Sequence, residues 1–409
     1  MQFSNGLLCV AGHRLPVKGK VIVVGAGKAA ARMAQVIEDI LGDRISGGLV
    51  VTKHDHGLPL KHIRLVEAGH PIPDESGVQA VKDTKTLVSN LNSNDIVLSL
   101  ISGGGSALWP SPADGITLEE KQLVTQLLLR AGATIQELNG VRKHLSGIKG
   151  GQLARWASPA RVISLIMSDV IGDPLDFIAS GPTAPDTTSF NDALATIQKY
   201  GVQPPPAIMD RIESGARGQI PENPKPGDPI FQSVDNLIIA NNRLLVDAAS
   251  KRAKELGFSP LILGTELEGE AKEVAKFLAA IGREAGRSGN PIRQPACILT
   301  AGETTVTVRG TGSGGRNQEM ALAWAIAAKS DSMNCCFASV ATDGTDGPTN
   351  AAGGLVDPST YSRAVQLGLK PEKFLNENNS YDFLKATGDL IVTGPTQTNL
   401  MDIQILLLE

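Results

Sequence analysis

The sequence predicts an α/β protein with mostly parallel sheet and helices on both faces. Short apolar runs alternate with amphipathic stretches, and glycine-rich turns follow several of the runs. The best-defined run, Ile96–Ile101, ends in five small residues: Ser102, Gly103, Gly104, Gly105 and Ser106. Ligands of such folds bind at the carboxyl ends of strands. We therefore expect the backbone N–H groups and two hydroxyls of this loop to cradle an anion, phosphate above all. An ordinary strand-to-helix turn is the alternative.

Composition narrows the class of function. The chain has 409 residues, 42% of them apolar and 4% aromatic, and a net charge of −4. Because nucleic-acid and acidic-membrane binders need basic surfaces, we expect neither partner. Four cysteines without CxxC spacing favour a reduced, cytoplasmic setting. No apolar run is long enough to span a membrane.

Strands and helices alternate in each half of the chain. The strands predicted for the first half are Lys20–Val24, Gly48–Thr52, Ile63–Glu67, Ile96–Ile101 and Arg161–Met167, with helices at Ala29–Leu41, Glu75–Leu91 (capped by Asp74) and Leu118–Gly132. The strands predicted for the second half are Asn236–Ala240, Ser259–Leu263, Ala296–Thr300, Thr304–Val308, Cys335–Ala341, Leu390–Thr393 and Ile403–Leu408, with helices at Asn242–Leu256, Glu268–Ala285 and Gln318–Lys329. The proline-rich segment 220–229 predicts a connection between domains at 1–230 and 231–409. The alternating Thr304–Val308 indicates an antiparallel strand, hence a mixed sheet in the second, smaller domain.

Two further glycine-rich stretches each deliver a cation to the start of a helix. Gly27 precedes Lys28, and Gly314 and Gly315 precede Arg316. A positive charge at a helix N-terminus opposes the helix dipole, so the arrangement makes sense when an anion lies between them. The alternatives are a solvated lysine and an ion pair of Arg316 with Glu319, one turn along the helix.

The segment Gly25–Ala30 (GAGKAA) also fits the dinucleotide fingerprint G-x-G-x-x-A, which would indicate a nicotinamide-dependent reductase. That fingerprint needs an acid after the next strand to hold the ribose. Here the strand ends in Lys53, which weakens this interpretation. A Walker A loop and protein-kinase signatures are absent from the sequence.

Four acidic residues follow predicted strands: Asp169, Asp173, Asp343 and Asp346. Carboxylates at strand ends can bind Mg²⁺ together with substrate phosphates, or accept a proton from a hydroxyl that is being phosphorylated. Turn capping is the alternative, because it is the usual task of aspartate before glycine.

Taken together, several long motifs resemble the type II glycerate kinases, the glycerate 2-kinases whose C-terminal half carries the MOFRL domain. The motifs are GAGKAA from Gly25, VTKHDHG from Val51, EAGHPIPDESG from Glu67, SLISGGGSAL from Ser99, NGVRKHLSGIKGGQLA from Asn139, MSDVIGDPLDFIASGPTAPD from Met167, GGRNQEMAL from Gly314, ATDGTDGPTNAAGG from Ala341 and TGPTQTNLMD from Thr393. Members of this family have often been labelled hydroxypyruvate reductases. They usually begin with an extra helical segment, whereas this chain starts close to the first strand.

The resemblance implies ATP-dependent phosphorylation of D-glycerate at its 2-hydroxyl, with Mg²⁺, in a cleft between two α/β domains of a monomer or homodimer. It also implies that Lys28 and Arg316 are the active-site lysine and arginine. We assign phosphate cradling to the loop 102–106, charge neutralisation to Lys28 and an anion clamp to Arg316. Further expected site residues are Asp169, Asp343 and Asp346 as metal ligands or base, and Lys143 and Lys149, which line the cleft or else are solvated. The alternatives to a kinase are an NAD(P)H-dependent hydroxypyruvate reductase and a non-enzymatic small-molecule sensor.

Overall fold

The computed structural model describes residues 1–10, 12–330 and 333–409. Contacts divide the chain into two compact units, residues 1–239 and 240–409. Both units are α/β, as the sequence predicts.

The first unit is built on a six-stranded sheet. Its strands and those that precede them are β1 (Gln2–Ser4), β2 (Leu7–Val10), β3 (His13–Pro16), β4 (Val21–Ala26), β5 (Ile45–Lys53), β6 (Arg64–Ala68), β7 (Ile96–Ile101), β8 (Arg161–Met167) and β9 (Val234–Ala240). The order in the large sheet is β6-β5-β4-β7-β8-β9, the order typical of doubly wound dinucleotide folds. The pairs from β6 through β8 are parallel, and β4 and β7 are buried along their whole length. Because these strands are parallel, the loops after β4, β7 and β8 share one edge of the sheet.

Helices cover this sheet. They are α1 (Ala30–Leu41), α2 (Glu75–Val88), α3 (Gly105–Leu108), α4 (Leu118–Arg130), α5 (Ile135–His144), α6 (Gln152–Ala157), α7 (Phe190–Tyr200) and α8 (Pro206–Ala216), with 3-10 turns at Gly42–Arg44, Ile178–Ser180 and Pro229–Ser233. The predicted cap of α2 is confirmed, because the Asp74 side chain accepts a hydrogen bond from the Gly77 N–H. Helices α5 to α8 were not predicted. Pro206, which reads as a helix breaker, stands in the first turn of α8, where proline is tolerated.

A small antiparallel sheet, β1-β2-β3, precedes the first parallel strand and was not predicted. Leu8 and Val10 of β2 are buried and join the core formed by β4 and α1. The sheet is stabilised by tertiary packing, since its strands are only three or four residues long.

The proline-rich segment 220–229 packs within the first unit instead of leaving it. Asn223 is buried and donates a hydrogen bond to the Asp186 carboxylate, while the Asp186 N–H donates to the Pro224 carbonyl. The segment leads into β9, so the strand predicted at 236–240 belongs to the first sheet and not to the second half. The proposed boundary at residue 230 thus precedes the last strand of that sheet.

The second unit contains a mixed sheet, as predicted. Its elements are β10 (Ser259–Leu267), β11 (Ala296–Gly302), β12 (Cys335–Ala341), β13 (Gly353–Val356), β14 (Leu390–Ile391) and β15 (Asp402–Leu408), and α9 (Asn242–Glu255), α10 (Ala271–Ser288), α11 (Arg316–Ala327), α12 (Thr360–Gln366), α13 (Pro371–Asn376) and α14 (Ser380–Thr387). In the order β10-β11-β15-β12-β13-β14, only the pair β10–β11 is parallel among the described strands. The strand predicted at Thr304–Val308 is wrong: only an isolated bridge of Thr305 to Glu270 forms there.

The described part of the chain contains no helix that is both long and apolar enough to cross a membrane.

Candidate active site

The loops that follow β4 and β7 interlock at the carboxyl edge of the parallel sheet. The backbone N–H of Lys28 donates to the Gly103 carbonyl over 2.8 Å, and the N–H of Ala29 donates to the Ser102 hydroxyl over 3.0 Å. Ser102 is fully buried, so its hydroxyl joins the two loops and supports the start of α1. The sequence predicted both loops at strand ends, but it did not predict that the Ser102 hydroxyl accepts a hydrogen bond from Ala29.

Gly27 makes the approach of the two loops possible. Its φ is +145°, and a Cβ placed on it would lie 2.0 Å from the Ser102 hydroxyl oxygen. We expect Gly27→Ala to lower the unfolding free energy by about 3 kcal/mol, at the upper end of the usual cost of overpacking, because backbone surrounds the added methyl group. Chemical denaturation measures this change. Gly115→Ala is the matched control, since Gly115 also has positive φ but meets nothing within 4 Å. Equal losses would show that the loop contact is unimportant.

Lys28 and His70 lie against the second glycine loop. A Cβ on Gly104, whose φ is +83°, would lie 2.9 Å from the His70 ring and 3.5 Å from the Lys28 side chain. Glycine is thus required here both by backbone conformation and by its neighbours. The ring and the lysine stem therefore flank the backbone of this loop, and Lys28 is placed beside the predicted anion cradle.

Ser106 is the meeting point of a cationic cluster. Arg142 Nη2 donates to the Ser106 hydroxyl over 2.6 Å, and Lys149 Nζ donates to the same hydroxyl over 3.0 Å and to the Ser106 carbonyl over 2.7 Å. The Ser180 hydroxyl lies 2.9 Å from that of Ser106. Sequence reasoning identified Ser106 and Lys149 but missed Arg142 and Ser180.

The cluster continues with Lys121, whose ammonium is buried and donates to the Pro110 carbonyl. Burial, followed by the repulsion of Arg142, lowers the pKa of Lys121 and of Lys149 well below 10.5. Within the described residues, no carboxylate lies at ion-pairing distance from Lys121, Arg142 or Lys149. These positive charges are thus left without a protein counter-ion.

The backbone opposite Ser106 is left-handed over three residues. Ala179, Ser180 and Gly181 have φ of 51°, 62° and 63°. For the two non-glycine residues this conformation costs of order 1–3 kcal/mol each, and such costs cluster at ligand sites. In this conformation the Ser180 hydroxyl lies 2.9 Å from that of Ser106.

Lys143, unlike Lys149, is paired with carboxylates. Its Nζ lies 2.7 Å from Asp186 and 3.4 Å from Asp176, and its side chain is 1% exposed. Burial favours the neutral form of Asp186, but Lys143 outweighs it and the pKa of this carboxyl is lowered. The alternative in which Lys143 and Lys149 are solvated is therefore wrong, because both side chains are almost fully buried. Lys143 is the centre of a compensated ion pair, which indicates a structural task.

In the second unit, Arg316 opens α11 as predicted, but its guanidinium is paired. Nε and Nη2 donate to Asp402 over 2.5 and 3.1 Å, and Nη1 donates to Glu303 over 2.5 Å. Burial raises the pKa of Asp402 to about 6, although Arg316 opposes the shift. The alternative of an ion pair is confirmed, but not with Glu319, which instead accepts from Asn378.

Asp346 caps α11. Its two carboxylate oxygens accept from the N–H groups of Asn317 and Gln318 and from both of their side-chain amides. A Cβ on Gly315 would lie 2.3 Å from the Asp346 carboxyl carbon, and one on Gly314 would lie 2.2 Å from the Ser380 hydroxyl. The glycines before Arg316 therefore allow close packing inside this unit. For Asp346, the turn-capping alternative fits this geometry better than the expected metal ligand.

Asp169 follows β8 and is half-buried, and Asp343 follows β12 and is nearly buried. Asp343 Oδ1 accepts from the N–H and hydroxyl of Thr345, which defines a tight turn. Among the residues that the structure describes, no three His, Cys, Asp or Glu side chains are grouped so that they could hold a metal ion.

These features define a two-unit α/β protein with interlocked glycine loops and a cationic cluster at the carboxyl edge of a parallel sheet. A family model described as a domain of unknown function, DUF4147, matches residues 5–213, and the MOFRL family model matches residues 296–402.

Relatives match nearly the whole chain. A glycerate 2-kinase of Pyrococcus horikoshii is 44% identical over 99% of this chain and 91% of the relative. The crystal structure of a glycerate kinase from Thermotoga maritima has a TM-score of 0.88 and 44% identity, covering 95% of this chain and 92% of that one. An Agrobacterium vitis protein, provisionally named hydroxypyruvate reductase, is 43% identical over 96% of this chain and 88% of its own length. The chain belongs to the glycerate kinase family that combines the DUF4147 and MOFRL domains.

Proposed function

We propose that this protein phosphorylates D-glycerate at its 2-hydroxyl with ATP, giving 2-phosphoglycerate and ADP. The observation that carries the proposal is the pair of interlocked glycine loops with Lys28 at their contact, in a chain that matches glycerate kinases over nearly its full length. The same motifs predicted this reaction from the sequence.

Phosphoryl transfer is promoted mainly by positioning and by charge stabilisation. The 2-hydroxyl oxygen of glycerate forms a bond to the γ-phosphorus, the bond from that phosphorus to the β,γ-bridging oxygen breaks, and ADP leaves. Lys28 offsets the negative charge on the transferring group, and Asp169 or Asp343 accepts the hydroxyl proton. Within the loop 102–106, the N–H groups of Ser102 and Gly105 donate to backbone carbonyls, so those of Gly103, Gly104 and Ser106 contact the phosphates.

We further propose that Arg316, in the second unit, provides an anion contact for the reaction. Its guanidinium uses three of its five N–H groups on Asp402 and Glu303, which leaves two for a phosphate oxygen. The two carboxylates offset its charge, so its contribution is smaller than that of Lys28.

Mg²⁺ fits this proposal as the partner of the nucleotide. It needs only one or two carboxylates besides substrate phosphates, and Asp169 and Asp343 are the candidates. When bound, the ion neutralises phosphate charge. Asp346 is excluded from this set because its oxygens are occupied by α11.

The structure lacks a feature that a nicotinamide-dependent reductase needs. The fingerprint loop Gly25–Ala30 does follow a strand, but the neighbouring β5 ends in Lys53 where an acid should hold the ribose. An assay that couples ADP release to glycerate, run beside one that follows NADPH oxidation by hydroxypyruvate, separates the two. We expect turnover only in the first. Turnover only in the second would overturn the proposal, and ATP binding without turnover would favour a sensor.

We propose a cytoplasmic location, which agrees with Cys9, Cys297 and Cys336 forming no disulfide among the described residues. We also propose a monomer or homodimer.

A further inference from the structure

The cationic cluster around Ser106 has no task in the mechanism above. Arg142 and Lys149 both donate to the Ser106 hydroxyl, and Lys121 lies nearby and donates to the Pro110 carbonyl. Lys121 and Lys149 are almost fully buried, and the described residues supply the three cations no carboxylate. Uncompensated buried charge is costly, and it is normally paired or used to hold a ligand. The cluster therefore points to an anion that arrives from outside the chain.

Arg142 is the member that can reach such an anion. It is only half-buried, and among the described residues its guanidinium makes one hydrogen bond, from Nη2 to Ser106. Four N–H groups remain for a planar acceptor. Arg316, by contrast, has its fork occupied by Asp402. A fork with free donors fits a carboxylate by two parallel hydrogen bonds.

We propose that Arg142, supported by Lys149 and Ser106, binds the carboxylate of the substrate and selects 2-hydroxycarboxylates. This inference rests on the proposed function and adds the residue that recognises the acid group. A carboxylate is favoured over a nucleotide phosphate because Mg²⁺-nucleotide sites place carboxylates near the phosphates, and this cluster contains only cations.

The loop also sets the spacing between the carboxylate and the reacting hydroxyl. Lys28 lies against Gly104, and Ser106 is two residues further along. Successive Cα atoms are about 3.8 Å apart, so the two ends of this segment are at most about 7.6 Å apart. The 2-hydroxyl stands on the carbon next to the carboxylate. The inference therefore requires that the carboxylate at Arg142 and the hydroxyl near Lys28 lie along this short segment.

Steady-state kinetics of Arg142→Gln and Arg142→Lys test the inference. We expect KM for D-glycerate to rise about tenfold to a hundredfold in Arg142→Gln, the effect of losing hydrogen bonds to a charged group, and less in Arg142→Lys. KM for ATP should change less than about twofold. Arg130→Gln, an exposed arginine at the end of α4, is the matched control and should change neither. A rise in KM for ATP alone would assign the cluster to the nucleotide and overturn the inference.

Binding to the wild-type enzyme provides a second measurement that does not depend on folding of a variant. Glycolate, which keeps the carboxylate, should compete with D-glycerate, whereas 1,2-propanediol, which lacks it, should not compete. Equal inhibition by both would contradict carboxylate recognition. Failure of wild type to phosphorylate glycerate would instead overturn the proposed function. Normal turnover with unchanged glycerate KM in Arg142→Gln would overturn only the present inference.

Discussion

Lys28→Ala is expected to lower kcat/KM for glycerate phosphorylation at least about a hundredfold, with the protein still folded. Lys28 flanks the loop at Gly104, so its side chain lies beside the neutral backbone cradle. A fixed positive charge in a preorganised site stabilises the transferring phosphoryl group, and nothing in the loop 102–106 replaces it. Steady-state kinetics with coupled ADP detection measure the loss.

Two comparisons sharpen this test. Lys18→Ala, at an exposed position before β4, should leave kcat/KM unchanged. Ser102→Ala removes the acceptor for the Ala29 N–H, so it should cost about 1 kcal/mol of stability, as a lost helix cap does, but less activity than Lys28→Ala. If Lys28→Ala retained nearly wild-type kcat/KM, the charge-neutralising role would be wrong.

Lys143→Met and Lys149→Met are expected to change stability in opposite directions. Removing Lys143 takes from the buried Asp186 its lysine partner and leaves it hydrogen bonds from neutral groups, so the unfolding free energy should fall by about 3 kcal/mol. Lys149→Met removes a buried cation that has no carboxylate partner. In the ligand-free protein the unfolding free energy should therefore rise by about 1 kcal/mol or more, even though the hydrogen bonds to Ser106 are lost. Urea denaturation of both variants measures the contrast.

Because the pKa of Lys149 is lowered, the stability difference between the wild type and Lys149→Met should depend on pH. The unfolded chain holds the lysine proton up to about pH 10.5, whereas the folded protein releases it earlier. Between the two pKa values the unfolded state binds more protons, so stability from this group rises with pH there. Lys149→Met should reduce that slope. An unchanged slope, or a large destabilisation by Lys149→Met, would show that an anion of the protein already compensates the charge.

The sequence predicted the parallel strands of the first unit well, because central strands such as Val21–Ala26 and Ile96–Ile101 are short runs of mostly aliphatic residues buried on both faces. The sequence did not predict elements in which tertiary packing overrides the local preferences of the residues. Helix α5 contains the turn-like pair Asn139-Gly140, yet a capping box of Thr134 and Glu137 starts it and the core holds it.

The site was predictable only in part. Lys28 stands out locally, as a cation after a glycine loop. Arg142 and Ser180 carry no such signal, because they approach Ser106 from helix α5 and from a turn 74 residues away. Arg316 and Asp346 were identified as charged residues, but the carboxylate that pairs Arg316 comes from β15, and the capping role of Asp346 depends on its approach to α11. Pairings between distant segments are set by tertiary structure and leave no spacing pattern.

The proposed reaction is tested most directly by the phosphorus spectrum of the product made from D-glycerate and ATP. Phosphorylation at the 2-hydroxyl attaches phosphorus to a carbon that bears one proton, so the proton-coupled ³¹P signal of the new phosphate ester should be a doublet. A triplet, from phosphorus on the CH₂ carbon, would place the phosphate on the 3-hydroxyl and contradict the proposal. The absence of any new phosphate ester, with NADPH oxidation by hydroxypyruvate instead, would contradict it more completely.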